Sequence, residues 1–291
     1  MLSILIPVYE YEVSLMVKEV HRQASSLGID FEIICLNDAS FSKNPTSELS
    51  NFKWIENKTN LGRAKSRNKL VSAAMHRNLL FLDADMQLTN PEFIQNYIIH
   101  LDASLVICGG ISYQKKPPMT GLRLRWNYGN IYESATALER SKEPYGSFMT
   151  GNFLATKEIL ENHPFDDTLI IYGHEDTLFG KALLEGGISI LHIENPALHA
   201  GLEENDVFIE KTKEGLGSLL QMYTEKKITR DYSRIIKTFE LLKKSGTPYL
   251  VVLSISLLEK LFYPKLLAQG KHIWFFQLLK LKWFLELARK S

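Results

Sequence analysis

Short apolar runs alternate with longer amphipathic stretches along the first two thirds of the chain, and this pattern predicts strands alternating with helices. The apolar runs predict strands at 3–8, 31–36, 53–56, 79–82, 105–109 and 188–193. Helical periodicity between them predicts helices at 13–27, 62–76 and 175–186. Continuous apolar runs are typical of parallel strands covered on both faces. The pattern therefore predicts an α/β fold in which a mostly parallel sheet lies between helices.

The remaining residues suggest how the chain is divided. Residues 112–160 are rich in aromatic residues and glycine and show no clean periodicity, whereas from about residue 207 the pattern is predominantly helical. We therefore predict two halves of one α/β domain, 1–110 and 111–225, which share the sheet. Residues 226–291 are predicted to form a helical C-terminal appendage.

Composition places the chain among ordinary globular proteins. A length of 291 residues, of which 45% are hydrophobic, is sufficient for a substantial core. Cys35 and Cys108 lie inside apolar runs, which predicts buried, reduced thiols and a cytoplasmic protein. Residues 1–8 are apolar but lack a basic segment and are followed by Glu10 and Glu12, so they predict a first strand rather than a signal peptide.

The net charge of +1 conceals an uneven distribution. Residues 226–291 contain 14 Lys and Arg against 4 Asp and Glu, and the apolar blocks among them are shorter than the ~20 residues of a spanning helix. Basic amphipathic helices of this kind can lie on an anionic membrane surface, here the inner face of the cell membrane. Alternatively, they pack on the rest of the protein or on another subunit. Nucleic acid is disfavoured as a partner, because the basic residues are interleaved with long aliphatic blocks.

Two carboxylates follow the predicted strand at 79–82. Asp83 and Asp85, separated by Ala84, stand where that strand ends. Ligands of open α/β sheets bind beyond the carboxyl ends of the strands. Paired carboxylates there favour Mg²⁺ or Mn²⁺, whose coordination is completed by substrate phosphates. The alternative interpretation is a turn or a helix cap.

Three further residues are expected at the same edge of the sheet. Asp38 follows the second strand, where it can accept a hydrogen bond from a base or a ribose, or close an Asx-turn. Arg63 and Arg67 share one face near the start of the predicted helix at 62–76. Two guanidinium groups beside a helix N-terminus favour a diphosphate, although a solvated basic face is the other interpretation.

The second half contributes candidates for proton transfer and metal binding. Glu175 and Asp176 begin a predicted helix after Gly173, where they can act as a general base or simply complement the helix dipole. His199 is a candidate third metal ligand. His192 competes with it, but its position inside a strand makes it less suited to reach the edge.

These motifs together resemble a known family. Six segments occur in the order and spacing of the family 2 glycosyltransferases: 3–9, 37–40, 60–68, 82–85, 150–153 and 175–176. The chain is similar to these inverting enzymes of the GT-A fold over roughly its first 210 residues, and the C-terminal tail is not covered. Asn37 stands where the family often has Asp, and Glu10 where it often has Asn.

The resemblance implies a nucleotide diphosphate sugar as donor, most often a UDP-sugar, held by Mn²⁺ or Mg²⁺. Asp85 would be the direct metal ligand, with Asp83 at the ribose or the metal and His199 as a further ligand. Asp176 would be the catalytic base, with Glu175 beside it, and Thr150 lies where the family frames the transferred sugar. The donor-binding residues implied are Pro7, Tyr9, Glu10, Asp38, Arg63, Arg67, Asp83, Ala84, Gly151 and Asn152.

The function implied is the transfer of one sugar, with inversion, to a hydroxyl of a glycan or lipid-linked acceptor in cell-surface polysaccharide assembly. The absence of a Gln-x-x-Arg-Trp motif after residue 176 disfavours a processive synthase. Two other interpretations stay open: a sugar-nucleotide-binding homologue without activity, and a sugar-phosphate nucleotidyltransferase. A dinucleotide oxidoreductase is disfavoured because no Gly-x-Gly-x-x-Gly follows the first strand. The pattern assigns no oligomeric state.

Overall fold

The computed structural model describes residues 1–45, 49–101, 106–168 and 173–290. Contacts divide the chain into two compact units. The first comprises Met1–Gln114, Glu133–Thr168 and Glu175–Gly201. The second comprises the described residues within 115–132, 169–174 and 202–291.

Within the described ranges, the strands all belong to the first unit and form a large and a small sheet. They are β1 (Leu2–Val8), β2 (Phe31–Asn37), β3 (Phe52–Glu56), β4 (Asn78–Leu82), β5 (Met86–Gln87), β6 (Val106–Cys108), β7 (Ile111–Ser112), β8 (Asn152–Thr156), β9 (Ile190–His192) and β10 (Ala197–His199). The helices of this unit are α1 (Ser14–Ser26), α2 (Arg63–Ala73), α3 (Phe93–Ile98), α5 (Ala137–Arg140), α6 (Lys157–Asn162) and α7 (Glu175–Glu185).

The large sheet has the order β3-β2-β1-β4-β8-β6-β9. The pairs β3–β2, β2–β1, β1–β4 and β6–β9 are parallel, whereas β8 runs antiparallel to both β4 and β6. The predicted mostly parallel mixed sheet is therefore confirmed. The predicted strand at 105–109 corresponds to β6, with Leu105 outside the described residues. β8 was not predicted, because Asn152–Thr156 is a short run with polar residues at both ends.

An aromatic cluster in the core lies under the edge of the large sheet. Phe81 of β4 stacks on Phe153 of β8 at 5.1 Å, and Phe165 stacks on Phe179 of α7 at 4.5 Å between ring centroids. Each buried phenylalanine contributes about 1.5–3 kcal/mol of stability through removal from water. The cluster fixes β4, β8 and α7 relative to one another, because a ring from each of these elements belongs to it.

The small sheet has the order β5-β10-β7. β5 and β10 are antiparallel, with Met86 opposite His199 and Gln87 opposite Leu198. β10 and β7 are parallel. Since β5 begins directly after Asp85, this register brings His199 beside that carboxylate.

The second unit is helical. Its elements are a 3-10 helix at Thr120–Leu122, α4 (Arg123–Tyr132), α8 (Asn205–Thr224), a 3-10 helix at Arg230–Tyr232, α9 (Arg234–Ser245), α10 (Pro248–Gln269) and α11 (Ile273–Lys290). α11 packs against α4, α8, α9 and α10 and buries Phe275, Phe276, Leu279 and Phe284. The predicted helical C-terminal region is confirmed. None of the helices in the described residues combines the length and apolarity needed to span a bilayer.

Candidate active site

A buried arginine is paired with the first of the two carboxylates that follow β4. Arg67 lies one turn into α2 and is 1% exposed, and its Nη2 donates a hydrogen bond of 2.7 Å to Asp83 Oδ1. The Nε and Nη1 groups of Arg67 have no hydrogen-bond partner among the described residues. A buried N–H group without a hydrogen-bond partner lowers stability. The two N–H groups of this guanidinium are therefore available to bind oxygen atoms of a ligand.

The charge of Asp83 is maintained by its neighbours. Burial raises the pKa of this carboxyl, but the positive charges of Arg67 and Arg63, the hydrogen bond from Arg67 and the nearby His199 outweigh that effect. The pKa of Asp83 therefore lies below its usual value. Gly151 allows the approach of this side chain: a Cβ at that glycine would lie 3.3 Å from Asp83 Oδ2 and 3.1 Å from Met86 Cε.

The second carboxylate is paired with a histidine. His199 Nε2 lies 3.3 Å from Asp85 Oδ2, and the ring of Tyr113 stacks on His199 with the centroids 5.2 Å apart. Gly201 lies against Asp85, since a Cβ on this glycine would be 2.6 Å from Asp85 Cβ. Burial and the negative charge of Asp85 raise the pKa of the Tyr11 hydroxyl.

The donor set of Asp85 and His199 fits a divalent cation. Adjacent ligands of one Mn²⁺ or Mg²⁺ are separated by about 3 Å, because each lies about 2.1 Å from the ion. The described residues contain no group of three or more His, Cys, Asp or Glu side chains arranged around a common point. Two protein ligands are sufficient where substrate phosphates complete the coordination. Asp83 is less available as a ligand, because Oδ1 is engaged by Arg67.

Asp176 lies in the first turn of α7 and is oriented by Thr150. Both the backbone N–H (3.3 Å) and Oγ1 (2.6 Å) of Thr150 donate to Asp176 Oδ1. Burial raises the pKa of Asp176 to about 6; Thr150 and Arg67 oppose that rise, and the charges of Glu175 and Asp83 add to it. A carboxylate with this pKa is ionised at neutral pH and is a stronger base than an ordinary aspartate.

Asp38 closes the loop before α2. Its carboxylate accepts hydrogen bonds of 2.8 Å from Asn57 Nδ2 and from the backbone N–H groups of Leu61 and Gly62. These contacts with the protein occupy most of its acceptor capacity, so it orders the loop that carries Arg63 and Arg67. The adjacent Asn37 donates from its amide to Glu56 and to the carbonyls of Ser40 and Ser42, which carboxylate oxygens could not do.

The predicted base pocket lies beyond the end of β1. Pro7 is partly buried within that strand, while the ring of Tyr9 is 50% exposed just after it. Glu10 has a left-handed backbone (φ 51°), and its N–H donates to Ser40 Oγ at 2.9 Å. Arg63 is exposed at the first residue of α2.

The side chain of Asn152, which the resemblance places among the donor-binding residues, makes its hydrogen bonds within the protein. It is completely buried, donates to the carbonyls of Gly110 (2.8 Å) and Asn195 (2.9 Å), and accepts from the Tyr97 hydroxyl at 2.6 Å. Asn152 therefore holds β8 against the segment that leads to β7. Ala84 is also buried, between the two carboxylates.

The structure brings together Arg67, Asp83, Asp85, Thr150, Asp176 and His199. His192, the alternative histidine, lies elsewhere, where its Nε2 is 3.0 Å from the Pro144 carbonyl. Tyr11 and Tyr113 were not predicted, because they fall outside the motifs that drew attention to the others. Neither the segment 7–9 before Tyr11 nor the segment 107–108 before Tyr113 indicates that these rings approach the pair of Asp85 and His199.

A mixed sheet of this topology, with its acidic residues gathered at one edge, is the GT-A fold of nucleotide-sugar glycosyltransferases. The chain belongs to glycosyl transferase family 2, whose sequence model matches residues 3–164. The matched segment contains Asp83, Asp85 and Thr150, whereas Asp176 and His199 follow it. No curated protein matches the chain.

Solved structures of glycosyltransferases are similar to the chain at low sequence identity. The mannosyltransferase PcManGT from Pyrobaculum calidifontis, in complex with GDP-Man and Mn²⁺, is 12% identical, with a TM-score of 0.59 over 97% of this chain and 85% of that one. Glucosyl-3-phosphoglycerate synthase from Mycobacterium tuberculosis, with Mn²⁺, UDP and glucosyl-3-phosphoglycerate, is 16% identical, with a TM-score of 0.51 over 76% and 79%. TarS 1-349 from S. aureus is 18% identical, with a TM-score of 0.45 over 75% of this chain, which spans 65% of the TarS chain.

Proposed function

We propose that this protein is a metal-dependent inverting glycosyltransferase that moves one sugar from a nucleotide diphosphate sugar to a hydroxyl group. The acceptor would be a glycan or a lipid-linked saccharide of cell-surface polysaccharide assembly. One observation carries the proposal: Asp176, with its pKa raised to about 6, is oriented by Thr150 and lies in the electrostatic field of Arg67 and Asp83. A base and an anion-binding guanidinium are thus close together.

The donor would be held at its diphosphate. Asp85 and His199 would bind Mn²⁺ or Mg²⁺, and the ion would stabilise the negative charge of the departing diphosphate. The two N–H groups of Arg67 without partners would bind diphosphate oxygens, while Asp83 keeps the guanidinium in place and faces the ribose. The structures of PcManGT with GDP-Man and Mn²⁺ and of the synthase with UDP and Mn²⁺ support a metal-bound nucleotide.

Asp176 would then act as the general base. Its carboxylate takes the proton of the acceptor hydroxyl as the acceptor oxygen bonds to the anomeric carbon and the bond to the diphosphate oxygen breaks. A single displacement from the opposite face inverts the anomeric configuration. Glu175 supports this role through its charge, which raises the pKa of Asp176.

The nucleotide would lie beyond the ends of β1 and β2. The exposed ring of Tyr9 would stack on the base, between Pro7 and Glu10, and Asp38 would order the adjoining loop and offer its remaining acceptor position to the base or ribose. Arg63, at the exposed start of α2, would contact the phosphates, and Gly151, against which Asp83 packs, would adjoin the donor. We favour UDP as the nucleotide. The buried free thiols of Cys35 and Cys108 support a cytoplasmic location.

The decisive experiment separates chemistry from binding. In Asp176→Asn, sugar transfer should fall by at least about 10³-fold, because the asparagine amide cannot take the proton of the attacking hydroxyl. Metal-dependent UDP binding, measured by calorimetry, should change little, since the proposed role of Asp176 is with the acceptor and not with the nucleotide. Asp30→Asn is the matched control, because that aspartate is 80% exposed and its ion-pair partners, the N-terminus and His76, are not among the site residues. Full transfer activity in Asp176→Asn would remove this residue from the role of base.

The same assays distinguish the alternatives. A homologue that only binds sugar nucleotides would bind the donor without releasing UDP in the presence of any acceptor. A nucleotidyltransferase would release pyrophosphate from a nucleoside triphosphate and a sugar phosphate, which a coupled pyrophosphate assay would detect. We expect neither result, because Asp176 would supply a base for the acceptor hydroxyl and Arg67 would bind the diphosphate.

A further inference from the structure

The second unit exposes a row of leucines on α10. Leu250, Leu253, Leu257 and Leu261 are spaced by three or four residues, which places them on one face of the helix. Their side chains are between 49% and 67% exposed. The opposite face carries the buried Ile255 and Leu266 and packs within the unit. We call these four residues the leucine face.

The polar and charged residues near the leucine face leave that face apolar and place positive charge on its two flanks. The Ser254 hydroxyl, on the same side of the helix, donates to the Leu250 carbonyl at 2.9 Å and is therefore satisfied internally. The only acidic residue of α10, Glu259, points to the opposite side, where it pairs with Lys282 of α11. Lys260 and Lys265 lie at the two flanks of the row.

We propose that the leucine face of α10 docks on the surface of an anionic lipid bilayer. The helix has 22 residues, a length of about 33 Å, and would lie parallel to the surface with its leucines among the acyl chains. The long aliphatic stems of Lys260 and Lys265 would extend along the helix so that their ammonium groups meet the lipid phosphates. No helix of the described residues is suited to cross the bilayer, so contact would be with its surface alone.

Charge favours this occupant over a second copy of the chain. Residues 226–291 contain 14 Lys and Arg against 4 Asp and Glu, so two copies that met through this region would bring like charges together. An anionic bilayer is instead complementary. The exposed aromatic rings of Tyr249, near the start of α10, and Trp274, near the start of α11, are of the kind enriched at the boundary between lipid and water.

The test is co-sedimentation of the full-length chain with vesicles. We expect binding to vesicles of phosphatidylcholine that contain phosphatidylglycerol, weakening with added salt, and little binding to phosphatidylcholine alone. The triple variant Leu253→Gln, Leu257→Gln, Leu261→Gln should bind at least about tenfold more weakly, because Gln preserves helix propensity but removes the apolar surface. The matched control is the pair Leu15→Gln and Leu138→Gln, which alters exposed leucines of the first unit.

Each outcome is decisive. Circular dichroism and metal-dependent UDP binding confirm that the variants are folded, and failure of the proposed sugar transfer would leave the vesicle result intact. Undiminished vesicle binding by the triple variant would overturn the proposal, as would equal binding of the chain to both kinds of vesicle. If sedimentation velocity shows a dimer that the triple variant dissociates, with no vesicle binding, the face is an interface between copies of the chain instead.

Discussion

At Asp176, the proposed role of general base would come with a cost in stability. Because burial raises its pKa to about 6, the rate of transfer at low substrate concentration should rise as this carboxyl ionises and level off above that pH. The pH dependence of kcat/KM checks this expectation. In Asp176→Asn any residual activity should show no such rise. A profile that is flat between pH 5 and pH 8 in the unaltered protein would contradict the assignment.

The same carboxyl makes a prediction about folding. Its pKa is raised from 3.8 in the unfolded chain to about 6, so the folded state favours the protonated form. The stability that protonation contributes is present below pH 3.8 and is lost as the pH rises through 6. Above that pH, Asp176→Asn should therefore be more stable than the unaltered protein, by roughly 1–3 kcal/mol. Urea denaturation at pH 5 and pH 8 measures the difference, and Asp30→Asn should show none.

Sequence alone predicts which residues form the candidate site but not which contacts each side chain makes. Asp85 and Asp176 were predicted by their positions at the end of a strand and the start of a helix. Nothing in the sequence distinguishes Arg67, which is buried and paired with Asp83, from Arg63, which is exposed. Likewise, the family motif includes Asn152, although its amide is saturated by the protein. Such differences depend on tertiary contacts between residues distant in sequence.

Among the secondary-structure elements, two glycines show opposite constraints. Gly110 has a left-handed backbone (φ +85°), and a Cβ there would lie 2.1 Å from Nη1 of the buried Arg140. Gly217 lies inside α8, where a Cβ would meet nothing within 4 Å. Gly110→Ala should therefore lower the free energy of unfolding by about 2–4 kcal/mol. Gly217→Ala should raise it by about 0.5–1 kcal/mol, because alanine favours helix.

Chemical denaturation of the two variants provides the comparison. Each acts as the control for the other, since both replace glycine by alanine. Equal changes in stability would show that the conformation of Gly110 imposes no constraint.

The apolar runs predicted the positions of most strands, because parallel strands buried on both faces consist mainly of apolar residues. They could not predict register. The contact of His199 with Asp85 depends on the antiparallel pairing of β10 with β5, two strands of three and two residues. Strands this short have no periodicity to detect, and tertiary packing alone decides their pairing.

At the scale of the whole molecule, metal and nucleotide should act together. If the nucleotide completes the coordination of an ion held by two protein ligands, Mn²⁺ and UDP in combination should raise the melting temperature more than the sum of their separate effects. Asp85→Asn should abolish this extra shift, whereas Asp30→Asn should preserve it. Differential scanning fluorimetry measures the shifts. Additive shifts in the unaltered protein would argue that the nucleotide binds without the ion.

The division of the molecule was only partly accessible from its sequence. Helical character after residue 207 was evident from periodicity and charge. The second compact unit also includes Lys115–Tyr132, within the segment that showed no clean pattern. Its α4 packs against α8 and α11, which lie far along the chain, and Asn205 accepts the Leu124 N–H at 2.8 Å. Contacts of that range leave no local pattern in the sequence.

The antiparallel strand β8, which lies between β4 and β6 in the large sheet, has a consequence for how the chain folds during synthesis. β1 to β4 can pair as soon as they emerge, but the free edge of β4, formed by apolar Leu79–Leu82, is covered only by β8. Until Asn152–Thr156 has been made, the nascent chain presents an open strand edge to other chains. We therefore expect chains truncated between β4 and β8 to aggregate. Chaperones should bind the nascent chain mainly while the residues between these two strands are being synthesised.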